Sequence, residues 1–311
     1  MTAVLPLAFG TAPLATQWWD NSADVAVEAV AAAVRAGVGW FDTAPLYGSG
    51  ESEERLGAGL RLVPDEEALA AGAVHGDCGG PSFIVSTKVG RRVVGSVDDP
   101  DGRSAEFDFS AAGVRASLES SLQRLGFDRV DVVHIHDPDD HLAQALDETY
   151  PTLCAMRDEG LLEKISIGTM QPATALYVLE RADLDLVMIA NRLTLLDSSA
   201  LDELVPACVE RSIPVLAAAV FNSGVLARPE SGVWFDYAPA DDAMLARVRA
   251  MAGVCARAGV SLTAAAMQFP LRHSGVETVV VGMASAAQVV ENVALFAQHI
   301  PDEVWDDLAR C

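Results

Sequence analysis

GWFDTAPLYGSGESEERLG, residues 39–57, passes from a short apolar run that predicts a strand at 39–42 through a loop toward a helix. Asp42 ends this strand and Tyr47 follows in the loop. The apolar runs FIVSTKVG (83–90) and DRVDVVHIHDP (128–138) carry Lys88 and His136 at the ends of two further predicted strands. Short β-rich runs alternate with longer alanine-rich patterns along the chain, which indicates βαβ units and a parallel sheet.

The number of these units predicts a barrel. Strands are predicted at 5–10, 39–42, 83–88, 130–136, 165–169, 186–190, 215–219 and 278–282, with the clearest helices at 24–36, 111–125 and 142–159. Eight parallel strands with intervening helices predict an α/β fold of the (β/α)8 TIM-barrel type. No low-complexity linker interrupts the pattern, and barrels commonly exceed the usual domain length, so we predict one domain over residues 1–311.

Four ionisable side chains near strand ends suit the oxidation of alcohols or the reduction of carbonyls. Barrel enzymes place their chemistry at the C-terminal ends of the strands, where Asp42, Lys88 and His136 fall. A tyrosine phenol titrates near pH ~10, so a nearby ammonium is needed to favour phenolate around neutrality. An aspartate can hold that ammonium, and an imidazole N–H can polarise a substrate oxygen. We therefore predict Asp42, Tyr47, Lys88 and His136 as the catalytic set.

Taken one at a time, some of these residues have simpler explanations. Asp42 could cap a helix, and Tyr47 could be a packing residue with its hydroxyl bonded. Lys88 is harder to explain in this way, because an ammonium buried at the end of an apolar strand needs a carboxylate partner. His134 and His136 share one face of their strand by period two, so alternation does not separate them.

Metal binding is not predicted. The loop HDPDDH (136–141) is dense in potential ligands, but adjacent residues of one loop rarely converge on one ion. A solvated loop is the preferred interpretation, in which Asp137 or Asp139 can hydrogen-bond substrate hydroxyls. A second group, His75, Asp77 and Cys78, has no further cluster of ligands to complete a site.

The chain resembles the aldo-keto reductase family. The resemblance rests on FDTAPLYGSGESE (41–53), STKVG (86–90), LGFDRVDVVHIHDP (125–138), ISIGTMQ (165–171), AAAMQFPL (264–271) and VVVGMASAAQVVENVA (279–294), which occur in family order. It implies that Asp42, Tyr47, Lys88 and His136 form the family's catalytic tetrad, with Tyr47 as general acid/base. FNSGVLA (221–227) and HDPDDH are similar to the sugar 1-dehydrogenase branch, which oxidises L-fucose or D-threo-aldoses at C1 and also contains pyridoxal dehydrogenases.

Two further expectations come from the resemblance. His134 occupies a deeper layer of the barrel, where the family usually has an aliphatic residue, and it is interpreted as a core histidine whose hydrogen bonds are satisfied. The stretch 64–81 is interpreted as a surface insertion between the second helix and the third strand, on the side of the barrel away from the catalytic face.

The implied cofactor is a nicotinamide dinucleotide lying across the barrel mouth. The sequence has neither a GxGxxG after a strand nor a Walker loop, and barrel reductases need neither. The implied cofactor contacts are Gln171, Asn191, Asn222, Gly224, Leu226, Gly282, Ser285, Gln288, Glu291 and Asn292. The stretch 281–292 has no basic residue to pair a 2′-phosphate, so NAD is predicted over NADP.

The chain departs from the family pattern at the nicotinamide. The usual serine-asparagine pair after the fifth strand is Met170-Gln171 here, and Gln171 and Asn191 can still bond a carboxamide. The common stacking aromatic after the seventh strand is replaced by Ala218 or Ala219. Loop aromatics that could contact substrate, or only pack the loops, are Trp18, Trp19, Phe221, Trp234 and Tyr237.

Composition restricts the partners. The net charge of −23 is opposite to the basic surface that nucleic acid requires. An odd number of cysteines, five, without a CxxC pair argues against a disulfide framework, and no apolar run has the length of a membrane span. We expect no nucleic-acid or membrane partner, no signal peptide, a cytoplasmic location and a small sugar or aldehyde substrate.

Several alternatives stay open at the level of sequence. Pyridoxal oxidation to a lactone and general aldehyde or ketone reduction would use the same four residues. A nonenzymatic nucleotide-binding subunit and a Schiff-base aldolase that uses Lys88 are rivals of other classes. The oligomeric state is left undetermined.

Overall fold

The computed structural model describes residues 5–16, 21–70, 74–75, 81–95, 103–228, 234–235 and 238–311. Its strands are β1 Leu7–Gly10, β2 Trp40–Asp42, β3 Val74–His75, β4 Pro81–Ser82, β5 Ile84–Val89, β6 Arg91–Val94, β7 Ser104–Phe107, β8 Val130–His136, β9 Leu162–Thr169, β10 Leu186–Ala190, β11 Val215–Ala218, β12 Trp234–Phe235, β13 Ala238–Pro239 and β14 Val276–Gly282. Its helices are α1 Ala23–Arg35, α2 Glu51–Leu62, α3 Asp65–Ala70, α4 Ala111–Leu125, α5 Leu142–Gln144, α6 Tyr150–Asp158, α7 Pro172–Leu179, α8 Leu204–Glu210, α9 Asp242–Arg257, α10 Leu262–Gln268, α11 Ala286–Phe296 and α12 Asp302–Leu308.

Eight parallel strands close into a barrel in the order β1, β14, β11, β10, β9, β8, β5, β2. The (β/α)8 prediction is therefore confirmed. Two of the predicted strands, 130–136 and 186–190, have the predicted bounds, and the others differ by one to three residues at an end. The strands read as apolar because their outward faces pack against the helices in one large core.

The barrel interior changes character along its axis. At one depth its side chains form an apolar cluster, here called the apolar plug, made of Ala8, Val132, Leu186, Met188, Leu216 and Val280. Toward the C-terminal strand ends the inward face becomes polar, because period two carries it from Val132 to His134 and His136 on β8. The neighbouring strands bring Asp42 and Lys88 to the same region, with Lys88 directly beside His134 in register.

The predicted helix 142–159 is not uniform. A π-helical turn, Ala145–Thr149, separates α5 from α6. Pro151 stands in the first turn of α6 and has no N–H for the regular bond to the carbonyl four residues earlier. The wider turn directly before this proline is a local way to accommodate the missing bond.

Besides β12–β13, two antiparallel strand pairs lie outside the barrel in the described part of the chain. The predicted insertion 64–81 holds α3 and the start of an antiparallel β3–β4 pair, with 71–73 and 76–80 outside the described residues. A second antiparallel pair, β6–β7, follows β5 at the C-terminal end of the barrel and was not predicted. Gly90 makes the turn into it with φ 101°, where a Cβ would collide with the Phe109 ring.

In the part of the chain that the structure describes, no single helix has both the length and the apolarity to cross a membrane. Only α9 and α10 taken together reach that length, and they are bent by 101° against each other.

Candidate active site

A buried ion pair forms the floor of the candidate site. The Lys88 ammonium lies 2.6 Å from Asp42 Oδ2 and donates to the carbonyl oxygen of Thr43 at 2.9 Å. The two side chains are 3% and 4% exposed. Burial opposes the charge of Lys88, but Asp42, and after it Tyr47, raise the pKa of the ammonium above its ordinary value. Lys88 is therefore a cation at neutral pH, and a Schiff-base nucleophile would have to be unprotonated.

The other oxygen of Asp42 is also occupied. Ser86 Oγ donates to Asp42 Oδ1 at 2.8 Å, and Trp40 Nε1 donates to Ser86 Oγ at 3.0 Å. His134 Nε2 lies 3.5 Å from the same Oδ1. Because Trp40, Ser86 and Asp42 are neighbours on β2 and β5, the barrel register itself aligns this chain of donors.

Tyr47 lies over the ion pair from the loop after β2. Lys88 Nζ is 4.9 Å from the centroid of the Tyr47 ring, and the two side chains are hydrogen-bonded. The backbone N–H of Tyr47 donates to the carbonyl oxygen of Ala44, which holds the loop in a tight turn. The phenol therefore lies next to the Lys88 ammonium, and a phenol acid/base needs such a cation to favour phenolate.

His136 completes the group from the end of β8. Its ring centroid is 6.3 Å from that of Tyr47, with the planes at 84°. Burial, and then the positive charges of Lys88 and Arg91, lower the pKa of His136 well below its ordinary range, so the imidazole is neutral. Nε2 lies 3.5 Å from Asp137 Oδ2, and Nδ1 has no hydrogen-bond partner within the described residues.

A cavity of about 240 Å³ opens beside Asp137, the residue that follows His136. Arg91 Nη2 pairs with Asp137 Oδ2 at 2.8 Å, and the Arg91 guanidinium lies 4.4 Å from the Phe107 ring centroid. The His141 ring stacks on Phe109 at 5.0 Å. The cavity is lined by Arg91, Phe107, Asp137, Asp139, Asp140, His141, Met170 and Gln171.

The two carboxylates singled out from the loop differ in their freedom. Asp139 accepts hydrogen bonds from Thr169 at 3.2 Å and from Thr174 at 2.7 Å, which ties the loop to β9 and α7. Among the described residues, the Asp137 carboxylate is paired with Arg91 and lies near its neighbour His136, and its backbone is left-handed with φ 44°. Asp137 is the carboxylate that can still turn toward a ligand.

Buried amides at the ends of β10 and β11 can hold a carboxamide. Asn191 is 2% exposed and Asn222 0% exposed, both with left-handed backbones. Asn222 Nδ2 donates to the Asn191 carbonyl oxygen at 3.2 Å. Neither Oδ1 atom has a hydrogen-bond partner among the residues described, so each is free to accept an N–H. Gln171, at the start of α7, is exposed on the cavity wall.

The loop after β14 packs closely against Pro13. A Cβ at Gly282 would lie 2.9 Å from Pro13 Cγ, so glycine permits this approach. Ser285 caps α11 by accepting from Gln288 N at 3.3 Å, while Gln288 Oε1 accepts from Ala284 N at 2.7 Å. On the next turn of α11, Glu291 is exposed and Asn292 half-buried.

The remaining predicted contacts surround the loop after β11. Phe221 is half-buried, and its carbonyl oxygen accepts from Gly224 N and Leu226 N. Leu226 itself is fully buried, and Trp234 is 53% exposed. Trp18, Trp19 and Tyr237 lie outside the described residues.

Comparison with known proteins decides the family. The sequence profile of the aldo/keto reductase family matches residues 6–311. The chain belongs to this family. The reductase is 38% identical to D-threo-aldose 1-dehydrogenase from Pseudomonas sp, over 99% of this chain and 94% of the relative. It is 33% identical to pyridoxal 4-dehydrogenase from Microbacterium luteolum, over 98% and 93%. Its fold matches that of glycerol dehydrogenase from Gluconobacter oxydans with a TM-score of 0.78, at 24% identity and over 100% and 93% of the two chains.

The aldo-keto reductase is thus an oxidoreductase that acts on carbonyl or CH–OH groups, and relatives in its family use nicotinamide cofactors. The described residues hold no group of three or more His, Cys, Asp or Glu that could bind a metal ion. Of the earlier candidates for one, Asp77 and Cys78 are not among the described residues.

Sequence reasoning missed three features of the reductase. Arg91 was not singled out, although an arginine directly after STKVG falls at a strand end. The role of Asp139 as a tether depends on Thr169 and Thr174, which no local pattern connects with it. His134 is fully buried as predicted, but neither ring nitrogen has a hydrogen-bond partner within the described residues, so the expectation of a satisfied histidine is wrong.

Proposed function

We propose that this reductase oxidises an aldose, such as L-fucose or a D-threo-aldose, at C1 to the lactone, with NAD as oxidant. The observation that carries the proposal is the buried Lys88–Asp42 pair beneath Tyr47. The choice of substrate class rests on the D-threo-aldose dehydrogenase that is 38% identical.

Each residue of the proposed tetrad has a distinct task. The Lys88 ammonium stabilises the phenolate of Tyr47, which takes the proton of the substrate hydroxyl. Asp42 fixes Lys88 and balances its charge in the barrel interior. Neutral His136 donates one N–H to the same substrate oxygen, and Asp137 Oδ2 near Nε2 favours the proton on that nitrogen. When bound, the nicotinamide accepts the hydride from the substrate carbon.

The proposed cofactor contacts fit a nicotinamide dinucleotide. The unpartnered Oδ1 atoms of Asn191 and Asn222 can accept from a carboxamide, and Gln171 can donate to it. The N-terminus of α11 at Ser285 can receive a phosphate of the pyrophosphate. Further contacts are proposed for Gly224, Leu226, Gly282, Gln288, Glu291 and Asn292.

We infer a preference for NAD over NADP. No basic residue occurs in α11, and the exposed Glu291 would repel a 2′-phosphate. Gln288 Oε1 accepts from Ala284 N, which leaves its Nε2 as an uncharged donor that cannot compensate the added charge. Comparison of Kd values for NAD⁺ and NADP⁺ by fluorescence quenching tests this, and tighter binding of NADP⁺ would contradict it.

The substrate is proposed to lie in the cavity beside Asp137, with its reacting oxygen at His136. Asp137 and Arg91 can bond the sugar hydroxyls, and Phe221 and Trp234 are proposed as aromatic contacts. Trp18 stays a prediction. Pyridoxal is a second candidate, because the pyridoxal dehydrogenase is 33% identical over nearly the whole chain.

The extent of the domain and the location are also proposals. We propose that residues 1–311 form one domain, since the family profile spans residues 6–311 and the barrel strands run from Leu7 to Gly282. The insertion 64–81 is proposed to be a surface feature without a catalytic role. We propose a cytoplasmic location from the sequence pattern of the cysteines, four of which are free in the described part.

The decisive experiment combines a substrate screen with one variant. Formation of NADH is followed by absorbance with L-fucose, D-arabinose, L-galactose, D-glucose and pyridoxal. We expect turnover with a sugar, and we expect Tyr47→Phe to lose more than about a thousandfold in kcat while NAD⁺ binding persists, because the proton acceptor is missing. Near-normal kcat in this variant would refute the mechanism. Borohydride trapping checks the aldolase alternative, and Lys88 and Lys164 are the only lysines that could form an adduct.

A further inference from the structure

His134 is a buried titratable group that the proposed tetrad does not use. It lies on β8 between the apolar plug and His136, and its side chain is 0% exposed. Lys88 is its register partner on β5, and Ser166 is its partner on β9. A buried imidazole without a hydrogen bond is costly, so its retention in this place needs a reason.

The geometry around Asp42 supplies that reason. Asp42 Oδ2 is taken by the Lys88 ammonium at 2.6 Å, and Oδ1 accepts from Ser86 at 2.8 Å. An ionised carboxylate oxygen can accept a second donor. His134 Nε2 lies 3.5 Å from Oδ1, and a small turn of the ring brings it into bonding distance.

We propose that His134 is a positioning residue: its Nε2–H donates to Asp42 Oδ1 and fixes the carboxylate that holds Lys88 under Tyr47. The inference rests on the proposed function, because it assigns Asp42 and Lys88 to the proton transfer by Tyr47. With His134 added to Ser86 at Oδ1 and Lys88 at Oδ2, rotation of the Asp42 carboxylate breaks one more hydrogen bond, so the ammonium that it pairs stays aligned with the phenol.

The charge state of His134 agrees with this role. The titratable groups that face it are Asp42 on β2, Lys88 on β5 and His136 on β8, while Ser166 on β9 does not titrate. Burial and the nearby Lys88 lower the pKa of His134 well below its ordinary range. The imidazole is therefore a neutral donor, which adds a hydrogen bond to Asp42 without a second cation that would compete with Lys88.

Two variants separate positioning from packing. In His134→Gln, the amide Nε2 can reach the position of the imidazole Nε2, whereas His134→Leu has a similar volume and no donor. We expect kcat within about threefold of wild type for His134→Gln and at least about tenfold lower for His134→Leu, with KM unchanged within about twofold, because the loss falls on alignment and not on binding. The melting temperature of His134→Leu should stay close to that of wild type, because burial of an apolar side chain offsets the loss of one hydrogen bond.

A spectroscopic measurement tests the hydrogen bond without turnover. Nitrogen-15 spectra of histidine-labelled protein, assigned with the two variants, should show His134 as the neutral Nε2–H tautomer over about pH 6–8. Its Nε2–H signal should move in Asp42→Asn. The Nδ1–H tautomer, or a signal indifferent to Asp42→Asn, would overturn the proposal, as would equal kcat in the Gln and Leu variants. If the wild-type enzyme oxidised none of the sugars, that result would count against the proposed function. The spectroscopic measurement would still decide the proposal for His134.

Discussion

Removal of the Lys88 charge should destabilise the barrel far more than an ordinary lysine substitution. In Lys88→Met, Asp42 loses its counter-ion while it stays buried, and the neutral Ser86 hydroxyl still donates to it at 2.8 Å. An unpaired buried charge typically costs about 3–5 kcal/mol. That is a large part of the ~5–15 kcal/mol that separates folded from unfolded proteins.

The double variant Asp42→Asn/Lys88→Met should recover most of the loss. It removes both charges together, and the amide can still accept from Ser86. We expect its free energy of unfolding to lie within about 1–2 kcal/mol of wild type, because a buried pair replaced as a unit is often nearly neutral. The coupling between the two positions should therefore be several kcal/mol, above the ordinary limit of ~0.5 kcal/mol for independent sites.

Urea unfolding followed by circular dichroism measures these differences. Lys164 is the only other lysine and is exposed on β9, so Lys164→Met is a matched control that should change stability by no more than about 0.5 kcal/mol. The reasoning would be refuted if Lys88→Met cost no more than this control, or if the double variant were less stable than the single one. Neither Lys88→Met nor the double variant should oxidise sugar. The single variant is therefore expected to lose both stability and activity, whereas the double variant loses activity and keeps most of its stability.

Three further outcomes follow from the same structure. Burial and nearby positive charges lower the folded-state pKa values of His134 and His136, so the unfolded chain binds more protons near and below pH ~6.5. The free energy of unfolding should therefore fall as the pH drops from about 7.5 to about 5.5, and the fall should be smaller in His134→Leu. Arg91→Met should raise KM for the sugar about tenfold and leave a small aldehyde without hydroxyls unchanged in steady-state kinetics, and equal losses on both substrates would contradict the placement of the sugar. Arg124→Met should lose about 3 kcal/mol in urea unfolding because it leaves Glu53 buried and unpaired, and Glu53→Gln in the same chain should restore part of it.

The barrel was predictable because its signal is repeated and local. Each strand that faces the helices must be apolar for most of its length, so 130–136 and 186–190 carry their bounds in composition alone. The hairpin β6–β7 was not predictable in the same way. β7 is mostly exposed, including Phe107 at 52%, β6 is half-buried, and neither has the apolar continuity that marks a barrel strand. Such a hairpin is fixed by contacts from elsewhere, here the contact of the Phe107 ring with the His141 ring at a centroid distance of 5.2 Å.

His134 and His136 differ in their depth along the barrel axis, and that depth determines the neighbours of each ring. The sequence indicates the depth only indirectly. Period two puts both rings on the inward face, and both are buried. One step of two residues along β8 changes the contacts of the ring. His134 Nε2 lies 3.5 Å from Asp42 Oδ1, whereas His136 Nε2 lies 3.5 Å from Asp137 Oδ2 and its ring lies beside that of Tyr47. Asp42 is the partner of Lys88, and Asp137 lines the cavity. The roles of the two histidines therefore depend on which side chains the closed barrel brings to each layer, which is a property of the barrel and not of the strand.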